Sequence, residues 1–236
     1  MPHESFLTLL RVKFLSMLLL GLLAIACSPT IPAAQNKPQN EAQASPSISI
    51  FRAASEGNVT AVQNLLNAGT DVNAREHEGE TPLMYAAVAG KTQVVKLLLE
   101  RGADINAVSS NRETALARAV GVKQYETVKL LLDRGADIEK STDGGGPPLI
   151  YAAGRDDAVM VKLLLERGAH VNNKDDQGNT ALISAAENNA SIETVELLLK
   201  AGADRNVKTV QGERPYDIAL RYDNRVLARL MKPGTD

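Results

Sequence analysis

The sequence predicts an all-α solenoid: stacked helix–turn–helix units with hairpin-like turns projecting from them, preceded by a signal segment and a disordered linker. Three observations lead there. The segment LLLERGADIN at 97–106 returns as LLLDRGADIE at 130–139, LLLERGAHVN at 163–172 and LLLKAGADRN at 197–206. Its glycine falls at Gly102, Gly135, Gly168 and Gly202, in steps of 33, 33 and 34 residues, and the fainter copy LLNAGTDVN sets Gly69 another 33 residues upstream. A fixed period of this size marks a repeat architecture in which each unit buries its apolar face against its neighbours. The second observation is that every unit carries two short apolar patterns of helical period. The third is composition: 44% hydrophobic residues but only 3% aromatic and no Trp, so the core is aliphatic and rich in alanine.

The chain opens on MPHESFLTLLRVKFLSMLLLGLLAIACSPT. Arg11 and Lys13 precede an uncharged, leucine-rich run from Phe14 to Ala26. That run is shorter than the roughly 20 apolar residues a spanning helix needs. A basic start, a short apolar stretch and small residues at its end describe an export signal. Ala24-Ile25-Ala26 suits ordinary cleavage after Ala26, which would leave Cys27 a free thiol. AIAC also resembles the lipobox of bacterial lipoproteins, with Ala24 where that family most often has Leu. The resemblance implies that Cys27 becomes the N-terminus and carries three acyl chains, palmitate among them. More than one chain is what stable anchoring requires. With Ser28 rather than Asp after the cysteine, it also implies sorting to the outer membrane; the expected side is the periplasmic one, with surface exposure the open alternative. Cys27 is the single cysteine, which excludes an internal disulfide. The stretch SPTIPAAQNKPQNEAQASPS at 28–47 lacks the large apolar residues needed to fold and reads as a tether with a reach of roughly 25 Å.

The units follow in order. EGETPLMYAAVAGKTQVVKLLLERGADINA (78–107) shows the design. Thr81-Pro82 starts a helix, with a hydroxyl at the N-cap and a proline at the first helical position. Leu83, Ala86 and Ala87 share one narrow apolar face. Gly90 ends this helix after two turns. Val94, Val95, Leu97 and Leu98 mark a second helix, and Gly102 supplies the left-handed residue that closes it. Two turns are not stable alone, so the unit needs neighbours on both sides. The pattern TPL..AA..G....V..LLL..GAD.NA at 81–107 resembles the ankyrin repeat, and the resemblance covers about residues 48–232. It implies stacked units with turns at right angles and partner proteins bound through the concave helix face and the turn tips. The organisation expected is a signal peptide (1–26), the lipidated Cys and linker (27–47), an N-terminal capping repeat (48–74), repeats at 75–107, 108–140, 141–173 and 174–207, and a C-terminal cap (208–236). The last helix, bearing Arg225, Arg229 and Lys232, supplies a polar end. Repeat three has Pro147 for Thr behind Asp143–Gly146, and repeat four has one extra residue between its helices.

Charge and motifs argue against chemistry. A net charge of −2 leaves no electrostatic footprint for nucleic acid. His3 leaves with the signal, His77 lies in the turn before repeat one, and His170 stands where other copies have Asp104 and Asp137. These are turn residues, as the periodic aspartates are. The glycines of DGGGPP lack the Lys-Ser/Thr and the strand of a P-loop and read as a flexible tip. No residue is nominated as catalytic, metal-ligating or cofactor-binding, and the expected state is a monomer.

What remains is the face opposite the core, about 200° around the first helix of each unit. Through the stack its first members are Arg52, Tyr85, Arg118, Tyr151, Ser184 and Ile218, followed by Arg155, Glu187, Asn188 and Tyr222. Tyr and Arg are the types enriched at binding hot spots. The same order also suits an internal ladder in which each Arg rests on the next Tyr. Glu78, Asn111, Asp143 and Gln177 mark the turn tips. The expected function is a non-enzymatic protein–protein interaction module anchored to the bacterial cell envelope. By family resemblance it confers immunity to a toxin or protects a periplasmic enzyme. The rivals are an envelope scaffold without a specific client and an enzyme with no identifiable site.

Overall fold

Six helix pairs follow one another in the computed structural model, which describes residues 48–140 and 145–234. The signal segment, Cys27, the linker and Asp143 lie outside the described residues. The first helices are α1 (Ile50–Glu56), α3 (Pro82–Val88), α5 (Ala115–Gly121), α7 (Pro148–Gly154), α9 (Ala181–Glu187) and α11 (Pro215–Arg221). Their partners are α2 (Val59–Asn67), α4 (Thr92–Glu100), α6 (Tyr125–Asp133), α8 (Ala158–Glu166), α10 (Ile192–Lys200) and α12 (Arg225–Leu230). Among the described residues there is no strand. The first helices stack in sequence from α1 to α11, and each packs against the second helix of its own repeat.

Thr81, Thr114 and Thr180 cap their helices as the sequence predicts. Their hydroxyls accept from the amides of Met84 (3.4 Å), Ala117 (3.1 Å) and Ile183 (3.5 Å), and all three are buried. Pro147 offers no side-chain cap to α7. At α11, where Arg214 replaces Thr, the relation is turned round, and the Arg214 amide donates to Asp217 Oδ2 at 3.0 Å. At the other end of each pair, Gly102, Gly135, Gly168 and Gly202 adopt φ of 86–90°. That lets the next amide turn back: Ala103 N–H reaches the Leu98 carbonyl at 3.0 Å. A side chain at these positions would strain the backbone.

The core runs the length of the stack. Leu83, Leu116, Leu149 and Leu182 from the first helices, and Leu98, Leu131, Leu164 and Leu198 from the second, are essentially fully buried. The leucine triplets differ from a simple reading of the pattern. Only the middle leucine is interior, whereas Leu97, Leu130 and Leu163 are half-buried against the core. Alanines do the rest. Ala86, Ala87, Ala119, Ala152, Ala153, Ala185 and Ala186 are all buried and let adjacent helices approach closely.

The turns stack as well. Asp71, Asp104, Asp137 and Asp204 each accept, through Oδ1, the amide two residues on, at 2.8–3.0 Å. The residue at this place in the turn reaches the next repeat, in repeat three too, where His170 replaces the aspartate. Asn73, Asn106, Glu139 and Asn172 accept the amides of Asp104, Asp137, His170 and Asp204 at 2.7–2.9 Å. His170 is an exposed turn residue, as its place in the repeat suggests, with Nδ1 3.2 Å from Glu139.

The C-terminal end is less polar than expected. Arg225, Arg229 and Lys232 are exposed, but so are Leu220 (44%) and Val226 (53%). Leu220 occupies the position of Ala87, Val120, Ala153 and Ala186, which are covered by a following repeat. No described helix covers α11 on that side.

Leu131→Ala or Leu164→Ala should cost about 2–5 kcal/mol, because each leaves a cavity in a core with few ways to collapse. Leu130→Ala should cost clearly less. Urea melts of the three variants check the ordering, and equal losses would contradict the placement of the middle leucine.

Candidate protein-binding face

The face of the first helices turned away from the second helices carries the residues singled out above. Arg52 is exposed and donates to Glu56 at 2.7 Å. Next comes an aromatic step: the rings of Phe51 and Tyr85 meet edge-on, with centroids 5.6 Å apart. Tyr85 is half-buried, and its phenol is pushed up to about 12 by burial first and then by a hydrogen bond to Glu80. Arg118 is also half-buried, ion-paired with Glu80 and 3.8 Å from Glu113. Tyr151 follows, with the Arg155 guanidinium 4.6 Å over its ring. Glu187 is half-buried; desolvation raises its carboxyl above the usual range, Arg221 works against this, and Asp175 and Glu213 add to it. Asn188 and Tyr222 are exposed, and Tyr222 lies 5.4 Å from the Arg221 guanidinium.

Three expectations are corrected by this arrangement. The ladder of Arg on the next Tyr does not form. Arg52 and Arg118 turn to carboxylates, and the two cation–π contacts among the described residues, Arg155–Tyr151 and Arg221–Tyr222, are each within one repeat. Charge pairing at short range outweighs a ring quadrupole when both are within reach. Ile218 is not on the free face but wholly buried: it has no polar tip to keep in water and joins the core beside α9. Tyr85 and Tyr151 pack partly against the core, so truncating either one removes packing as well as surface.

Between α7 and α9 the face opens into a pocket of about 270 Å³. Tyr151, Arg155, Asp175, Ser184 and Asn188 line it, and Gly146 and Gly154 leave the room. Gly146 is buried, and a Cβ placed there would lie 2.8 Å from the Asp175 Cβ. One placed on Gly154 would lie 2.5 Å from the Ser184 hydroxyl. The reading of Gly146 as part of a flexible tip missed this. The signal lay in the alignment of the repeats, where Glu80, Glu113, Asn179 and Glu213 occupy the position of Gly146.

The tips form a separate edge. Each is a tight turn spanned by a backbone bond from its first amide: Glu76 to Glu80 (3.0 Å), Ser109 to Glu113 (3.0 Å), Asp175 to Asn179 (2.9 Å) and Thr209 to Glu213 (2.9 Å). Glu78 and Asn111 are exposed and joined, Asn111 Nδ2 donating to Glu78 Oε2 at 2.9 Å. Gln177 is exposed, its amide held by Asp175 at 2.9 Å. Arg112 and Asp176 meet at 3.4 Å. Among the described residues, no group of three or more His, Cys, Asp or Glu side chains is placed to hold a metal, and no helix is long and apolar enough to cross a membrane.

The sequence of the stack also matches a family model. The one described as "Ankyrin repeats (3 copies)" matches residues 50–142 and 140–209. The chain belongs to the ankyrin-repeat family. It is an ankyrin-repeat protein-interaction module, and solved ankyrin structures resemble it over most of its length. One is the complex of the Bd0816 predatory endopeptidase from Bdellovibrio bacteriovorus with the immunity protein Bd3460, at 29% identity and a TM-score of 0.69, covering 77% of this chain and 95% of that one. Another is an ankyrin repeat domain, ABAYE2397, from Acinetobacter baumannii AYE, at 30% identity and a TM-score of 0.72, with the same coverage of 77% and 95%. A third is the ankyrin repeat domain of Bcl-3, of the IkappaB protein family, at 31% identity and a TM-score of 0.71, covering 78% and 81%. Among curated proteins no match was found.

A tyrosine titration followed by ultraviolet absorbance checks the setting of Tyr85. Its neutral form is favoured in the fold, so stability should be complete below about pH 10 and fall as pH rises towards 12. Tyr85→Phe should remove the ionisation near 12 while the remaining steps persist.

Proposed function

We propose that the chain is an envelope-anchored binding protein that holds and restrains a hydrolase of its own cell, an endopeptidase in the first instance. The observation that supports this reading is the free face itself. It carries four tyrosines and arginines at matching positions, Arg52, Tyr85, Arg118 and Tyr151, where exposed helix positions more often hold Lys or Glu. The face is partly pre-organised. Tyr85, Arg118 and Tyr151 are half-buried and held by Phe51, by Glu80 and Glu113, and by Arg155, so little side-chain freedom is lost on docking. The similarity to a structure of an immunity protein with an endopeptidase, 95% of whose matched chain is covered, favours restraint of an enzyme over a scaffold without a client. The reading gives the export signal a purpose, because a peptidase working outside the cytoplasm needs its inhibitor in the same compartment.

In this reading Cys27 carries the lipid, the linker 27–47 is the tether, and the capping repeats close the module at 48–74 and 208–236. Partner contacts fall on Arg52, Tyr85, Arg118, Tyr151, Arg155, Glu187, Asn188 and Tyr222, with Glu78, Asn111, Asp143 and Gln177 at the tips.

The experiment uses the chain from Ser45, which packs as a compact unit of its own, and exported endopeptidases encoded near its gene. The expected result is a complex and saturable inhibition of peptide hydrolysis. Tyr151→Ala combined with Tyr222→Ala should weaken binding by about thirty-fold or more, roughly 2 kcal/mol. Binding unchanged by that pair would move the contact to the tips. No complex with any of these enzymes would overturn the proposal.

The anchor is tested separately. Cys27→Ala should abolish incorporation of a fatty-acid label and release the protein from membranes, whereas an unlabelled wild type would leave ordinary cleavage after Ala26.

A further inference from the structure

The pocket in repeat three lies where a carboxylate is missing. At the position before the N-cap, the other repeats place Glu80, Glu113, Asn179 and Glu213, and repeat three places Gly146. Those glutamates have a common role on the free face. Glu80 and Glu113 pair with Arg118, and Glu213 lies 3.0 Å from Arg221. Arg52, nearest the N-terminal end, pairs with Glu56. Among the described arginines of this face, Arg155 alone has no carboxylate partner. One nitrogen donates to the Gly121 carbonyl at 3.3 Å, and the guanidinium plane lies over Tyr151. The carboxylate on the opposite wall does not serve it. Asp175 Oδ1 accepts the amides of Gln177 (2.9 Å) and Asn179 (2.7 Å), and Oδ2 accepts from Asn179 Nδ2 (3.3 Å).

We infer that this pocket receives an acidic side chain, Glu or Asp, from the bound protein, its carboxylate paired with Arg155 and its stem against Ile150 and Tyr151. The inference rests on the free face being the binding face and adds the chemistry of one position on it. A guanidinium already oriented on a ring presents its remaining N–H groups as a fork that a carboxylate fits with two parallel bonds. Exposed, such a pair contributes little, but a docked protein excludes water from it and strengthens it. A space of about 270 Å³ suits one side chain rather than a helix. Asp175 and Glu187 favour the opposite charge, so a basic occupant is the direct rival.

The test is a nuclear magnetic resonance titration of the isotope-labelled chain from Ser45. One probe is N-acetyl-glutamate N-methylamide, whose only charge is its side-chain carboxylate, and the other is the lysine counterpart. The glutamate probe should give saturable shifts at the amides of Gly154, Ser184 and Asn188, with a Kd in roughly the millimolar range. Arg155→Gln should weaken these at least tenfold while the rest of the spectrum, apart from amides beside Gly121, stays in place. Arg155 is exposed, and its side chain makes a single long hydrogen bond, 3.3 Å to the Gly121 carbonyl at the end of α5. Shifts with the lysine probe alone, no saturable shift with either probe, or shifts indifferent to Arg155→Gln would each overturn the inference. Because no partner protein enters the titration, its failure leaves the wider face standing. Conversely, a positive titration with no enzyme partner found would remove only the proposed function.

Discussion

Close approach between neighbouring first helices is the constraint on which everything else in this molecule depends. A seven-residue helix forms too few internal bonds to persist alone, and here six of them succeed because alanine lines the seam. Ala86 and Ala87, Ala152 and Ala153, Ala185 and Ala186 bring backbones close enough for Leu83, Leu149 and Leu182 to fill the space beneath. A larger residue at any of these positions would push two repeats apart and expose the leucines of both. The turns depend on the same spacing. The amide of Asp104 meets Asn73, and that of Asp137 meets Asn106, only because adjacent repeats are held at one distance. Packing sets the interval, and the hydrogen bonds then fix the rotation.

With that interval set, the free face becomes a ruler. Side chains at equivalent positions recur at a constant step, so a substitution in one repeat changes the surface there while leaving the helical frame as it was. Gly146 and Gly154 show this: the pocket they open lies at the seam of repeats three and four alone, while Glu80 and Glu113 hold Arg118 next door. Binding chemistry can therefore vary position by position on an unchanged frame, which is why the fold itself says so little about the partner.

Much of this was legible in the sequence, and the limits were physical. The period, the capping threonines and the closing glycines each constrain the backbone tightly, so the fold and the helix order could be read directly. Three consecutive leucines cover too much of a helix for periodicity to say which one is interior, and the structure chooses Leu131 over Leu130. The surface was harder. That Arg118 faces Glu80 depends on contacts between a tip and the helix of the next repeat, which no local pattern encodes. Ile218 was misplaced because its position, not its chemistry, was read. The inter-repeat role of Asn73 was hidden for the same reason: Asp-x-Asn reads as a turn, and its second function appears only when the turns stack.

The bare N-cap of α7 has a consequence for motion. Pro147 gives that helix no capping side chain, and α8 packs closely on α10 but only loosely on α6. A missing cap weakens a helix by roughly 0.5–2 kcal/mol. In a linear array there is no route around a weak unit. The seam between repeats two and three is therefore where the stack is expected to open first, and hydrogen exchange at the amides of α7 and α8 would report it. The pocket lies on the other side of α7, towards α9. Whatever fills it bridges α7 and α9, so an occupant the width of a single side chain ties the uncapped helix to its neighbour.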